Sequence, residues 1–245
     1  MVTVKDGERL DDLLGRPGKI IQSDDVFSFS LDAVLLAEFV WVPIQKGQLV
    51  DLCAGTGAIP LFLSYRTKGT ITGVEIQSKL VDMANRSMAV NRLENRIQVV
   101  EGDVKAAAAQ LGHARYDVVT CNPPYFLANE TSLRNQNEHH TIARHEVLCT
   151  LEDCIKTASQ LVKPGGKVAF VHRPERLLDI LTLMRTYRIE PKRMQLVYPK
   201  AGREANTLLI EGSKDGKAGL KILPPFVVYE EDDTYTEAMR AILDA

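Results

Sequence analysis

The chain has 245 residues, 45% of them apolar and 25% charged, with a formal net charge of −2 and four cysteines. A disordered chain would be poorer in apolar residues and further from neutrality, and a chain of this length can fold without disulfides or a structural metal. Cys53, Cys121, Cys149 and Cys154 form no C-x-x-C pair and read as reduced, mostly buried thiols. The N-terminus has no apolar signal region, and the most apolar stretch, 31–44, carries Asp32 and Glu38 and is too short to cross a bilayer. The expectation is a soluble, cytoplasmic protein with no membrane partner.

In chain order, Phe27-Ser28-Phe29-Ser30-Leu31 and an amphipathic helix over 33–42 read as an extension (residues 1–45) packed on the rest of the domain. Strand-like runs then appear at 49–53, 70–75, 97–101, 116–121 and 166–171. Helical patterns separate them at 59–65, 78–93 and 150–162, with a short one around Ala106 to Ala109. The helix at 150 opens with a Thr150-x-x-Asp153 capping box and stops before Lys163-Pro164-Gly165-Gly166. Pro174 starts a further helix over 175–187. Strand–helix alternation implies a mostly parallel sheet with helices on both faces. Two strands at 193–198 and 205–211, joined by the Lys200-Ala201-Gly202 turn, leave no room for a crossover and must form an antiparallel hairpin. All of this is expected to be one domain, residues 1–245, with residues 222–245 an acidic C-terminal tail.

The segment Asp51-Leu52-Cys53-Ala54-Gly55-Thr56-Gly57-Ala58-Ile59-Pro60 is a strand end, a glycine turn and a helix start. It lacks the third glycine of a pyrophosphate-binding loop, and Asp51 would repel a phosphate, so the loop suits a cationic ligand or is an ordinary elbow. Glu75 ends the second strand, 24 residues on, where a carboxylate accepts hydrogen bonds from ribose hydroxyls, and Asp103 follows the third strand, where it can meet an adenine amino group. Carboxylates at three successive strand ends add nothing to a core; together they describe a site for a positively charged adenosine derivative.

Asn122-Pro123-Pro124-Tyr125 follows the fourth strand. An exocyclic amino group on an aromatic ring is a poor nucleophile because its lone pair is delocalised. The Asn122 side-chain oxygen and the Pro123 carbonyl can accept its hydrogens and turn the lone pair outward, on a backbone stiffened by Pro123 and Pro124. Tyr125 can stack on a flipped base. Leu223-Pro224-Pro225-Phe226 repeats the prolines and ring without the acceptor and reads as structural.

On these residues the chain resembles the class I S-adenosylmethionine-dependent methyltransferases. The resemblance implies a Rossmann-like α/β fold, a seven-stranded, mostly parallel sheet ending in an antiparallel hairpin. It implies S-adenosylmethionine held by Asp51, Ala54, Gly55, Gly57, Glu75, Ile76, Asp103, Val104 and Asn122, with Asn122, Pro123 and Tyr125 catalytic. The Phe27 to Ala37 segment, Asn122-Pro123-Pro124-Tyr125-Phe126, Ala143-Arg144-His145-Glu146 and Gly202-Arg203-Glu204-Ala205-Asn206 are similar to segments of the bacterial tRNA1(Val) adenine-N6 methyltransferase family. That likeness implies N6-methylation of an adenine in structured RNA, a tRNA anticodon loop above all. Protein-glutamine N5 methylation, rRNA guanine-N2 methylation and a non-catalytic RNA-binding role are the alternatives. Phe29, Ser30 and Asp32 would lie near the cofactor, or else form a helix cap with a packed aromatic.

Charge is uneven: residues 1–133 carry a net −3, residues 134–221 a net +6 and residues 222–245 a net −5. The basic segment is either a solvated face or a surface for an RNA backbone. The second reading gives substrate contacts to Pro124, Phe126, Arg134, Arg144 and His145 in and after the catalytic tetrapeptide, and to Arg188, Arg193 and Arg203 among the cations between Arg185 and Arg203. His139, His140 and His145 lack metal-ligand spacing, and no metal is expected.

Overall fold

A computed structural model describes residues 3–26, 28–125 and 149–244. The parallel core is laid down by β3 (Gln48–Leu52), β4 (Thr70–Glu75), β5 (Ile97–Glu101), β6 (Tyr116–Cys121) and β7 (Val162–His172), followed by the hairpin β8 (Ile189–Lys200) and β9 (Thr207–Lys214). These seven strands lie in the order β8-β9-β7-β6-β3-β4-β5, and β9 alone runs against the rest. The sequence-based sheet and hairpin are therefore present, in the order of a class I methyltransferase fold.

Each central strand is apolar on both faces, and successive residues feed opposite cores. In β7, Val168 and Phe170 enter one cluster while Ala169 and Val171 enter the other. One face is covered by α1 (Leu31–Phe39), α2 (Ala58–Leu63) and α3 (Ser78–Val90); the other by α4 (Ala107–Leu111), α5 (Leu151–Leu161) and α6 (Leu177–Thr186). Burying a Val, Leu, Ile or Phe side chain fully contributes roughly 1.5–3 kcal/mol, so a strand with two buried faces is held by both layers. The Thr150 capping box forms as expected: Thr150 Oγ1 accepts from the Asp153 N–H at 3.1 Å and Asp153 Oδ2 accepts from the Thr150 N–H at 3.0 Å.

Three features depart from the sequence reading. The helix expected to be amphipathic, α1, buries Ala33, Val34, Leu35, Leu36, Ala37 and Phe39, because it is wedged between the sheet and later segments. The extension also contributes an antiparallel hairpin, β1 (Glu8–Asp12) with β2 (Lys19–Ser23), tied to α3 by the Arg86–Glu8 ion pair at 2.6 Å. The acidic segment expected as a tail is folded. β10 (Lys221–Ile222) and β11 (Phe226–Tyr229) pair one after the other along the outer edge of β8, and α7 (Glu237–Leu243) buries Met239 and Leu243. The second Pro-Pro pair serves that edge: Gln195 Nε2 donates to the Pro224 carbonyl at 2.9 Å.

The chain leaves β3 toward β4 and β5 on one side and returns as β6 on the other. The reversal opens a crevice at the carboxyl ends of β3 and β6, the general position for ligands in open α/β sheets.

Candidate active site

A cavity of about 410 Å³ lies in that crevice, within the range of small-molecule sites. Its wall includes Ala54, Gly55, Glu75, Ile76, Asp103, Val104, Asn122, Pro123, Pro124 and Tyr125, ten of the residues expected from sequence. Phe29, Ser30 and Asp32 line it as well. The Phe29 ring also packs edge-on against Phe62 at 5.8 Å, the packed aromatic that the sequence suggested.

Glu75 organises the floor. Its Oε2 accepts from the Gly55 N–H at 2.9 Å and its Oε1 from the Gln77 N–H at 3.0 Å, which pins the glycine loop to the end of β4. Burial raises this carboxyl, and those two backbone donors oppose the rise. Each oxygen keeps lone-pair capacity for a further hydroxyl. Gly55 has a φ of +54°, and a Cβ placed there would enter open space. Gly57, with a φ of +82°, starts α2 and faces Met88 and Ala84 rather than the cavity; a Cβ there would lie 2.7 Å from Met88 Cε.

Asp51, expected to face a ligand, is fully enclosed between β3 and β6. Its Oδ1 accepts from the Thr120 hydroxyl at 2.6 Å and its Oδ2 is buried without a partner among the described residues. Burial pushes this carboxyl up to about 8, and Glu75 adds to the rise. The sequence places Asp51 at the strand's end, but the side chain turns into the sheet, and the acidic groups on the cavity wall are Asp32, Glu75 and Asp103.

Asn122 is held by Tyr125, whose hydroxyl lies within hydrogen-bond distance of Asn122 Oδ1 and 3.1 Å from Asp32 Oδ2. Asp32 is fixed in turn by Ser30 at 3.2 Å and Thr207 at 3.1 Å. Burial pushes the Tyr125 phenol well up, so it stays a donor. Its ring packs against His172, with centroids 5.1 Å apart, and under the Arg173 guanidinium at 5.1 Å. Burial holds His172 down to about 4; its Nδ1 accepts the Arg173 N–H, leaving the proton on Nε2. Asp32, His172 and Arg173 thus form the support of the Asn122-Pro123-Pro124-Tyr125 turn. Sequence reading missed His172 and Arg173 entirely, although their position at the carboxyl end of β7, the strand beside β6, was a usable signal.

The expected RNA-facing cations separate. Arg203, in the turn after β8, is exposed at the crevice end of the sheet and makes no ion pair among the described residues. Arg188 precedes β8 at the opposite end, 2.8 Å from Asp215. Arg193 is committed inside the fold: its guanidinium bonds both Glu211 oxygens at 3.0 Å and the Phe39 carbonyl, and lies 4.5 Å over the Phe39 ring. Lys200 is paired with Asp233 of the acidic segment at 2.9 Å. Arg193 is therefore taken up inside the fold, which corrects its reading as an RNA contact, whereas Arg188 stays largely exposed at the end of the sheet away from the crevice. Phe126, Arg134, His139, His140, Arg144 and His145 lie outside the described residues. No helix among the described residues is long and apolar enough to cross a membrane.

Sheet order, crevice and glycine loop together define a class I methyltransferase fold. The chain belongs to the methyltransferase small domain family, whose model matches residues 18–186. It is 31% identical over 165 residues to the tRNA1(Val) (adenine(37)-N6)-methyltransferase of Porphyromonas gingivalis, a match covering 66% of this chain and 64% of that protein. The protein of the same name from Aeromonas hydrophila is 27% identical over 212 residues, covering 84% of each chain. Among solved structures, a predicted O-methyltransferase of Agrobacterium tumefaciens superposes with a TM-score of 0.70 at 25% identity, covering 87% of this chain and 95% of that one.

Proposed function

We propose that this chain transfers the methyl group of S-adenosylmethionine to the N6 of an adenine in structured RNA, a tRNA anticodon-loop adenine in particular, in the cytoplasm. The observation that carries the reading is the convergence of Asn122, Pro123 and Tyr125 with Glu75 and Asp103 on one cavity. The names of the Porphyromonas and Aeromonas relatives support the same substrate.

The residues present fit the cofactor. Its methyl sulfonium supplies the electrophile; Glu75 would take the ribose hydroxyls, Asp103 the adenine amino group, and Ile76 and Val104 the faces of the ring. Three carboxylates against one guanidinium on the wall favour a cation over a phosphate. Asn122 and the Pro123 carbonyl would accept the two hydrogens of the target amino group, so that its lone pair faces the methyl. Asn122 Oδ1 has two acceptor positions, and Tyr125 uses at most one of them. The positive charge formed on nitrogen is lost as a proton to solvent. An amide oxygen orients a nitrogen acceptor without deprotonating it, whereas a hydroxyl acceptor would need a base there. Positioning and fixed dipoles carry the rate.

Incubation with donor labelled in its methyl group, total tRNA and cell protein should put label in the RNA fraction. Label in protein alone would favour the glutamine-amide alternative and overturn the proposal. On this reading Arg173, over Tyr125 at the cavity, and Arg203, at the crevice end, would contact the RNA backbone. Arg203→Glu should weaken tRNA binding several-fold and flatten its salt dependence, while Arg188→Glu should leave both unchanged. The opposite ranking would restore the far end of the sheet as the RNA surface.

A further inference from the structure

The four cysteines, scattered at positions 53, 121, 149 and 154, come together beside the cavity. Cys53 follows β3 in the glycine loop; Cys149 immediately precedes the Thr150 cap; Cys154 sits in the first turn of α5. The sulfurs of these three all lie within 4.8 Å of one another, and Cys149 and Cys154 are 4.0 Å apart. Cys121, fully buried at the end of β6, adjoins Cys53 and Cys154. All four are free thiols.

We propose that Cys53, Cys149 and Cys154 form a binding site for one thiophilic divalent cation, zinc in the first instance, in the wall of the cavity. Thiolates bound to zinc at about 2.3 Å in tetrahedral array stand about 3.8 Å apart, so small side-chain rotations close the triangle onto an ion. A buried cysteine often serves only as a small apolar side chain, and that accounts for Cys154 and Cys121. It does not account for Cys53 and Cys149, which are half-buried and form part of the cavity wall next to each other. The open side gives the ion an entry path and leaves a fourth coordination position for water or a ligand atom, with Cys121 behind as a further sulfur. Cys53 is held at a φ of +57°, in the left-handed region where a glycine would be unstrained. Uptake exchanges thiol protons for the metal, releasing them to solvent, so occupancy should fall as pH is lowered. The ion would join the glycine loop to the start of α5, and because Cys53 and Cys149 border the cavity, it would alter how tightly that cavity holds its ligand.

The test uses the full chain, reduced and stripped with chelator, titrated with cobalt(II) and then zinc. One equivalent should bind, with thiolate-to-cobalt charge-transfer absorption that zinc abolishes, and one zinc per chain should survive desalting. Cys149→Ser and Cys154→Ser should each weaken binding at least tenfold while the melting temperature of the metal-free protein stays within a few degrees of wild type. Absence of the band and of retained zinc in the reduced wild-type protein overturns the proposal, whatever the variants do. Undiminished binding in both variants overturns it too. So does a Cys149–Cys154 or Cys53–Cys149 disulfide in air-purified protein whose reduced form takes up no metal, which would make the cluster a redox pair.

Discussion

Replacing Asn122 with alanine should lower the rate of methyl transfer by about 10²–10³-fold or more, the cost of removing one preorganised polar group aimed at the reacting atom. Affinity for S-adenosylmethionine should change by no more than a few-fold, because Glu75, at the end of β4, and Asp103, just past β5, belong to other segments and keep their positions. The fold should survive: Asn122 is only half-buried, and Tyr125 retains Asp32 as a partner. Asn122→Asp keeps an acceptor oxygen of the same shape and should fall between wild type and alanine. Single-turnover transfer with labelled donor, alongside calorimetric binding of the donor, separates the two effects. Equal losses in rate and affinity would make Asn122 a binding residue rather than the group that orients the target nitrogen.

Glu75→Ala should act on the opposite side of the same division. Two hydrogen bonds from ribose hydroxyls to a charged group, each worth about 1.5–3 kcal/mol, correspond to a loss of donor affinity of about 10²-fold or more. The substitution also strips the Gly55 and Gln77 N–H groups of their acceptor. Leaving the buried Gln77 donor unmatched costs about 1–3 kcal/mol, so the unfolding midpoint should drop measurably as well. Glu75→Gln, which keeps acceptor oxygen for part of this network, should be milder in both respects. Donor binding and denaturant unfolding of the two variants check this. An alanine variant with wild-type stability and wild-type affinity would remove Glu75 from the site.

The parallel strands were legible because each is a short β-branched or apolar run closed by glycine, proline or an acidic residue, as in Thr70–Glu75 and Ile97–Glu101. The Thr150 cap and the position of Asn122 were legible for the same local reason. What escaped depends on contacts across the fold. β1 reads Glu-Arg-Leu-Asp-Asp, with too little apolar alternation to announce a strand, and it is held by Arg86, far along the chain. The acidic composition of 222–245 hid the Val227-Val228 strand and the buried face of α7. A basic run shows charge but not partners, so Arg193, locked onto Glu211 and Phe39, looked the same as the exposed Arg203. Asp51 marks the strand end correctly, yet the pleat turns its carboxyl into the sheet. The cysteines have no spacing that a motif could detect, since only the return of β6 beside β3 and the approach of α5 bring them together.

The central claim is that the cavity directs methyl transfer to an adenine amino group under the control of Asn122. Its most direct test is nucleoside analysis: tRNA from cells lacking the protein is treated with enzyme and donor, digested completely, and resolved by chromatography and mass spectrometry. N6-methyladenosine should appear with the wild-type chain and be lost with Asn122→Ala. Methylated guanosine in its place, a ribose-methylated product, or N6-methyladenosine undiminished by the substitution would contradict the account.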